Sequence, residues 1–203
     1  MYMTYGPDRE LFCAFCEGKD YEGYLIGKLS CTRLDEGNVS GEVRIRKQRT
    51  NFVILELQRG NYLLAMTLIH PEGLVLRTES DQTMEQKPKA KINRTAPNHV
   101  IARHSFTVEE VLEFVKSVQD TNGIHRTADP VVPGLLMAEW FFATLQSSDW
   151  EGTEIRFHAP VYTGSVLCIT KEAEKYVCYG EDTEQVFWTA VIKKSKSNVP
   201  PIE

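Results

Sequence analysis

Thirteen residues, "PGLLMAEWFFATL" from Pro133 to Leu145, constrain the fold more than any other stretch. Leu135, Leu136, Met137, Trp140, Phe141, Phe142 and Leu145 spread around nearly the whole circumference of a helix. Such a helix is stable only when buried on most sides. Pro133 and Gly134 open it, since proline at a first turn loses no hydrogen bond. One residue stands out. Glu139 lies in the middle of this run, where a chain building only a core would place Leu or Ala.

The sequence around that helix supplies strands. "GEVRIRKQR" alternates, with Val43 and Ile45 on one face and Arg44 and Arg46 on the other. "NFVILELQRGNYLLAMTLIH" is two apolar runs around Arg59-Gly60-Asn61, a hairpin signal. Asp8 to Glu17 is read as a short helix. Thr78 to Asn98 is polar without periodicity and reads as a linker. A second helix starts after Thr107, an N-cap with Glu110 three residues on as in a capping box, and carries Val111, Leu112, Phe114, Val115 and Val118 at helical spacing. "TEIRFHAPVYTGSVLCIT", "KYVCYG" and "QVFWTAVIKK" are strands that close the chain.

The two halves echo each other. "NFVIL" and "KYVCY" stand 124 positions apart, as do "YLLAMTLI" and "VFWTAVIK", while "GEV" and "GSV" are 123 apart. Three segments in order at nearly one offset favour an internal repeat. The expectation is an α+β pseudo-dimer, each half a sheet against a helix. Residues 1–95 form a degenerate first half with its linker, and residues 96–203 form the second.

Composition excludes several classes. A net charge of -5 argues against indiscriminate nucleic-acid binding. No apolar run approaches the roughly 18 residues of a membrane span. The N-terminus lacks the basic start and apolar core of a secretory signal. The five cysteines are scattered, and Cys13 and Cys16 in "CAFC" have no second pair and apolar surroundings. They read as buried reduced thiols, which suits a reducing cytoplasm, and no metal site or cofactor is expected.

"FTVEEVLEFVKSVQDTNGIH", Phe106 to His125, resembles the (R)-specific enoyl-CoA hydratases of the hotdog fold, whose pattern is F-T-x-E-D-V-x-x-F followed by D-x-N-P-x-H. Phe106, Thr107, Glu109, Val111, Phe114, Asp120, Asn122 and His125 match. Glu110 replaces Asp and Gly123 replaces Pro. "RFHAPVYTGSVL", Arg156 to Leu167, is similar to a strand of the same group, with Ser165 where Asp is usual. The 3-hydroxyacyl-acyl-carrier-protein dehydratases supply a second likeness, H-F-P-G-x-P-x-x-P-G-x-L-x-x-E. His125, Pro130, Pro133, Gly134, Leu136 and Glu139 fall on it, while Arg126, Thr127, Ala128 and Ala143 depart. The resemblance covers about 106–194. It implies a hotdog fold, here a double hotdog whose first half helps shape an acyl pocket.

The implied reaction interconverts (3R)-3-hydroxyacyl and trans-2-enoyl thioesters, on CoA or an acyl carrier protein. It needs a base, an acid and a stabiliser for the enolate-like oxygen. His125 matches both motifs and is the candidate base, since an imidazole is largely neutral at pH 7. Glu139, desolvated among Trp140, Met137 and Phe142, is one candidate acid, because burial raises a carboxyl pKa. Asp120, five residues before His125, is the rival. Gly134, Leu135 and Asn122 are candidate substrate-binding positions, and the free N–H groups of the Gly134 turn suit a thioester oxygen. In the dehydratases the His and the acid come from two facing hotdogs, so a Glu139 partnership would require a homodimer or a rearranged loop. The basic run "RIRKQR" reads as a solvated strand face, with a phosphate-bearing carrier arm as the alternative. Other activities stay open: a hotdog acyl-thioesterase using Glu139, or a non-catalytic acyl-thioester binding module.

Overall fold

In chain order the elements are α1 (Arg9–Cys16), β1 (Leu25–Asn38), β2 (Arg44–Arg49), β3 (Phe52–Ile69), β4 (Val100–Ser105), α2 (Val108–Ser117), a 3-10 turn (Gly123–His125), α3 (Gly134–Thr144), β5 (Trp150–Phe157), β6 (Val166–Glu172), β7 (Lys175–Gly180) and β8 (Val186–Lys194). The structure, a computed structural model, describes residues 7, 9–17, 21–38, 41–70, 99–145, 149–183 and 185–194. The expected linker at 78–98, and with it the expected division at 95/96, lies outside them.

All eight strands join one antiparallel sheet in the order β2-β3-β1-β5-β8-β7-β6-β4. The repeat expected from the sequence is visible in its registers. Arg49 pairs with Phe52 and Lys47 with Ile54 across β2 and β3. Shifted by 123 residues, the same pairs are Glu172 with Lys175 and Thr170 with Val177 across β6 and β7. The hairpin in β3 is also present. A straight strand of that length would hold its ends about 60 Å apart. Instead the His70 N–H donates to the Asn51 carbonyl at 2.9 Å, so the chain doubles back within β3. Gly60 supplies the positive φ, 57°, that such a reversal needs. The two arms of β3 thus correspond to β7 and β8, and β1 to β5. The halves meet where β1 lies beside β5, with Leu29 opposite Ile155, both buried.

α3 explains its own composition. Leu135, Leu136, Met137, Ala138, Phe141 and Phe142 are all buried. Phe141 meets the rings of Tyr176 and Trp188, Phe142 stacks on Trp150, and Trp140 packs edge-on against Phe106. Each large side chain buried this way contributes roughly 1.5–3 kcal/mol. α1 is shorter, 8 residues against 11, but does the same job in the first half, burying Leu11, Phe12 and Phe15. α2 has the expected capping box: Thr107 Oγ1 accepts from the Glu110 N–H at 3.2 Å, and Glu110 accepts from the Thr107 N–H at 2.7 Å. Among the described residues the first half has no counterpart of β4 or α2.

β2 is one edge of the sheet, and all six of its residues are exposed. Its charges suit an edge that must not pair with another chain. Cys31, Cys168 and Cys178 are buried thiols, Cys13 and Cys16 are half-buried, and all five are free. Among the described residues no helix is long and apolar enough to cross a membrane.

Candidate active site

The segment after α2 is tied down residue by residue. The Asp120 N–H donates to the Val115 carbonyl at 2.9 Å, closing the helix end. Asp120 Oδ1 accepts from the Asn122 N–H at 2.9 Å, a local turn that short carboxylates favour. Asn122 caps the 3-10 turn, its Oδ1 accepting from the Ile124 N–H. The guanidinium of Arg126 folds back onto the carbonyls of Asp120 and Asn122.

This scaffold presents His125, only 6% exposed. Nδ1 lies 2.6 Å from the Val131 carbonyl, which can only accept, so Nδ1 carries the hydrogen and Nε2 is left with its lone pair. Nε2 stands 3.6 Å from Asp120 Oδ2. That is too long for a direct hydrogen bond but short enough for one oxygen atom to bond both. Burial pushes the imidazole below its ordinary pKa, against the opposing pull of the Val131 carbonyl and Asp120. His125 therefore presents a neutral imidazole at pH 7, with Asp120 beside its free nitrogen.

Both side chains line a cavity of about 180 Å³. Its walls come from both halves: Phe15, Ile26, Met66 and Leu68 from the first, and Val132, Leu135, Met137 and Phe157 from the second. Gly134 and Asn122 line it too. Gly134 begins α3 with Pro133 as its cap residue, which makes no side-chain hydrogen bond to the first-turn N–H groups. A Cβ on Gly134 would come within 3.1 Å of Ile26 Cδ1 and 3.4 Å of Phe157 Cζ, so any larger residue here presses on two side chains that line the cavity.

Glu139 is placed elsewhere. It is not among the residues lining the cavity. Both of its carboxylate oxygens lie 3.0 Å from Arg9 Nε on α1, whose guanidinium also sits over the Phe114 ring. Of the two carboxyls expected to partner His125, the fold brings Asp120 to it and turns Glu139 toward the first half. The dehydratase-like spacing from His125 to Glu139 is thus realised in sequence but not as a pair within one chain.

No protein-family model matches the chain, and no curated protein does either. Solved structures do. HtdX of Mycobacterium tuberculosis superposes with a TM-score of 0.61 at 13% identity, over 95% of this chain and 87% of that one. A MaoC-like dehydratase from Phytophthora capsici gives 0.51 at 12% identity, over 87% and 74%. An acyl-ACP thioesterase from Bacteroides thetaiotaomicron gives 0.50 at 10% identity, over 85% and 76%. The fold is the hotdog fold. In it α3 is the helix that the sheet wraps, and the two halves form a double hotdog through the β1–β5 seam.

The structure also brings to the His125 turn residues that sequence reasoning missed. Tyr21 and Tyr24 also line the cavity, and Glu22 lies between them in the loop before β1. The Gly23 N–H donates to Asn122 Oδ1 at 3.0 Å, and Asn122 Nδ2 donates to the Tyr24 carbonyl at 2.9 Å. Glu22 accepts from the Gly123 N–H with both oxygens, at 3.1 and 3.0 Å. "YEGY" has no periodicity and no motif, so nothing in the sequence marks it. The available signal was indirect: Gly123 standing where the resembled motif has proline.

Proposed function

We propose that the chain is a hydro-lyase interconverting (3R)-3-hydroxyacyl and trans-2-enoyl thioesters of CoA or an acyl carrier protein. The observation that carries this reading is the His125–Asp120 arrangement: a buried neutral imidazole, its Nδ1–H fixed on Val131, its Nε2 3.6 Å from a carboxylate in an apolar cavity. The presence of a MaoC-like dehydratase among similar folds supports it.

In hydration, a water bonded to Nε2 and Asp120 Oδ2 adds its oxygen to C3 while Nε2 takes its proton. The electron pair moves onto the thioester oxygen, which the first-turn N–H groups of α3 at Gly134 can hold. The imidazolium, stabilised by Asp120, then returns the proton to C2. Dehydration is the reverse. One imidazole carries the proton through both steps, so hydroxyl and hydrogen enter from the same face.

The test uses crotonyl-CoA with a thiol reagent present. Loss of enoyl absorbance without thiol release supports the reading. Thiol release indicates a thioesterase, the activity named for one similar fold. Neither change, with acyl-CoA still bound, indicates a binding module.

A further inference from the structure

The His125 turn is held from outside its own half, and the holding group is a charged one. Gly123 is the first residue of the 3-10 turn that ends at His125. Its N–H has no partner within the turn, as at any helix start. The Glu22 carboxylate supplies one, with both oxygens at 3.0–3.1 Å. A Cβ on residue 123 would stand 2.6 Å from Glu22 Oε1, so the contact in this form depends on glycine. Proline at this position would fix φ and carry no N–H to satisfy. A chain with glycine here has a looser turn and a free donor, and Glu22 addresses both.

We propose that Glu22 is a positioning residue for His125: seated on the Gly123 N–H, it fixes the turn that carries the imidazole and lends that turn a negative charge. The two Asn122 hydrogen bonds to Gly23 and Tyr24 set the loop in place, and Glu22 completes a three-point attachment. The charge reaches His125 as well. Burial opposes its protonated form most, and Arg126 adds to that; the Val131 carbonyl, Asp120 and, least of these, Glu22 favour it. Cys16, which lines the same cavity, has its thiol pushed far up by burial and stays neutral. Only the kinetic arm of the test rests on the hydro-lyase reading.

The experiment compares the full chain with Glu22→Ala, Glu22→Gln, Gly123→Pro and the double variant Glu22→Ala/Gly123→Pro. With crotonyl-CoA, Glu22→Ala lowers kcat about tenfold with KM little changed, because a small misplacement of a reacting group is costly. The double variant regains most of that loss. Asn122 has ψ 116°, which suits a following proline, and proline is well tolerated at a first helical position. Gly123→Pro alone stays impaired, because the ring crowds the Glu22 carboxylate, 2.6 Å from a Cβ at this position, and leaves that charge without its donor. In parallel, an NMR titration of the imidazoles reads His125 without any turnover. Glu22→Gln lowers the His125 midpoint and moves the Gly123 amide resonance. If the NMR effects occur but no form turns over any enoyl thioester, Glu22 positions His125 and the hydro-lyase reading fails instead. Wild-type kcat in Glu22→Ala with an unmoved His125 titration overturns the proposal. So does a loss of both Tm and kcat that the double variant fails to restore, since the contact is then a general structural tie.

Discussion

Arg9 Nε lies 3.0 Å from both carboxylate oxygens of Glu139, joining the first helix of the chain to the central one. The pair is partly exposed, 41% for Arg9 and 27% for Glu139, so solvent screens it. Glu139→Gln is expected to leave kcat/KM near that of the parent. Its effect should be a stability loss of up to about 1 kcal/mol, as for other solvent-accessible ion pairs. Kinetics and thermal unfolding of the one variant check both. A collapse of activity without unfolding would return Glu139 to the site.

His125→Ala removes the motif-matched base, and hydration and dehydration should both be lost. Asp120→Asn keeps the shape and the acceptor for the Asn122 N–H but not the charge facing Nε2. It should cost ~10²–10⁴-fold in kcat, the usual effect of removing a positioned acid or base. Single-turnover measurements on the two variants separate this loss from product release.

The pH dependence follows from the burial of His125. Its folded pKa is lowered, so the neutral base persists to lower pH than in a free imidazole. The acid limb of kcat/KM should lie below pH ~6.5, the unperturbed value. Stability has a matching sign. With the folded pKa below the unfolded one, the unfolded chain binds the extra proton first, and stability falls as pH drops below the unfolded value. His158, whose pKa burial also lowers, adds to this in the same direction. Unfolding midpoints between pH 8 and 5 should fall, and less steeply in His125→Gln. An acid limb above the free imidazole value would contradict the buried-base description.

Gly134→Val places a branched side chain against Ile26 and Phe157 at the start of α3. Turnover should drop because the acyl thioester can no longer approach the helix N-terminus. Circular dichroism should change little, since α3 is held by the packing of Phe141 and Phe142 deeper in the core. Unchanged kcat/KM would remove Gly134 from the site.

Much of this was legible in the residues themselves. Thr107 and Glu110 fixed the start of α2 because capping is local chemistry. The apolar circumference of Pro133 to Leu145 required a wrapping sheet, and Arg59-Gly60-Asn61 marked the reversal in β3. Asp120 could be offered as one partner for His125 because the two stand five positions apart in one loop, though Glu139 stayed open beside it. Glu139 could not be assigned, and the reason is the same apolar circumference. A helix with no polar stripe gives no indication of which neighbour each position faces, and here the neighbour is Arg9, 130 residues away. Glu22 was illegible for a related reason, since its partner is a backbone N–H, which no side-chain pattern reports.

The seam at Leu29 and Ile155 has an evolutionary consequence. His125 and Asp120 belong to one copy of the repeat, while much of the cavity wall, through Phe15, Ile26, Met66 and Leu68, belongs to the other. A substitution in β1 or β3 can reshape what fits without touching His125 or Asp120. Where one copy of a duplicated fold has lost its motif, that copy is free to drift, and drift there reshapes the cavity while the His125–Asp120 geometry is kept.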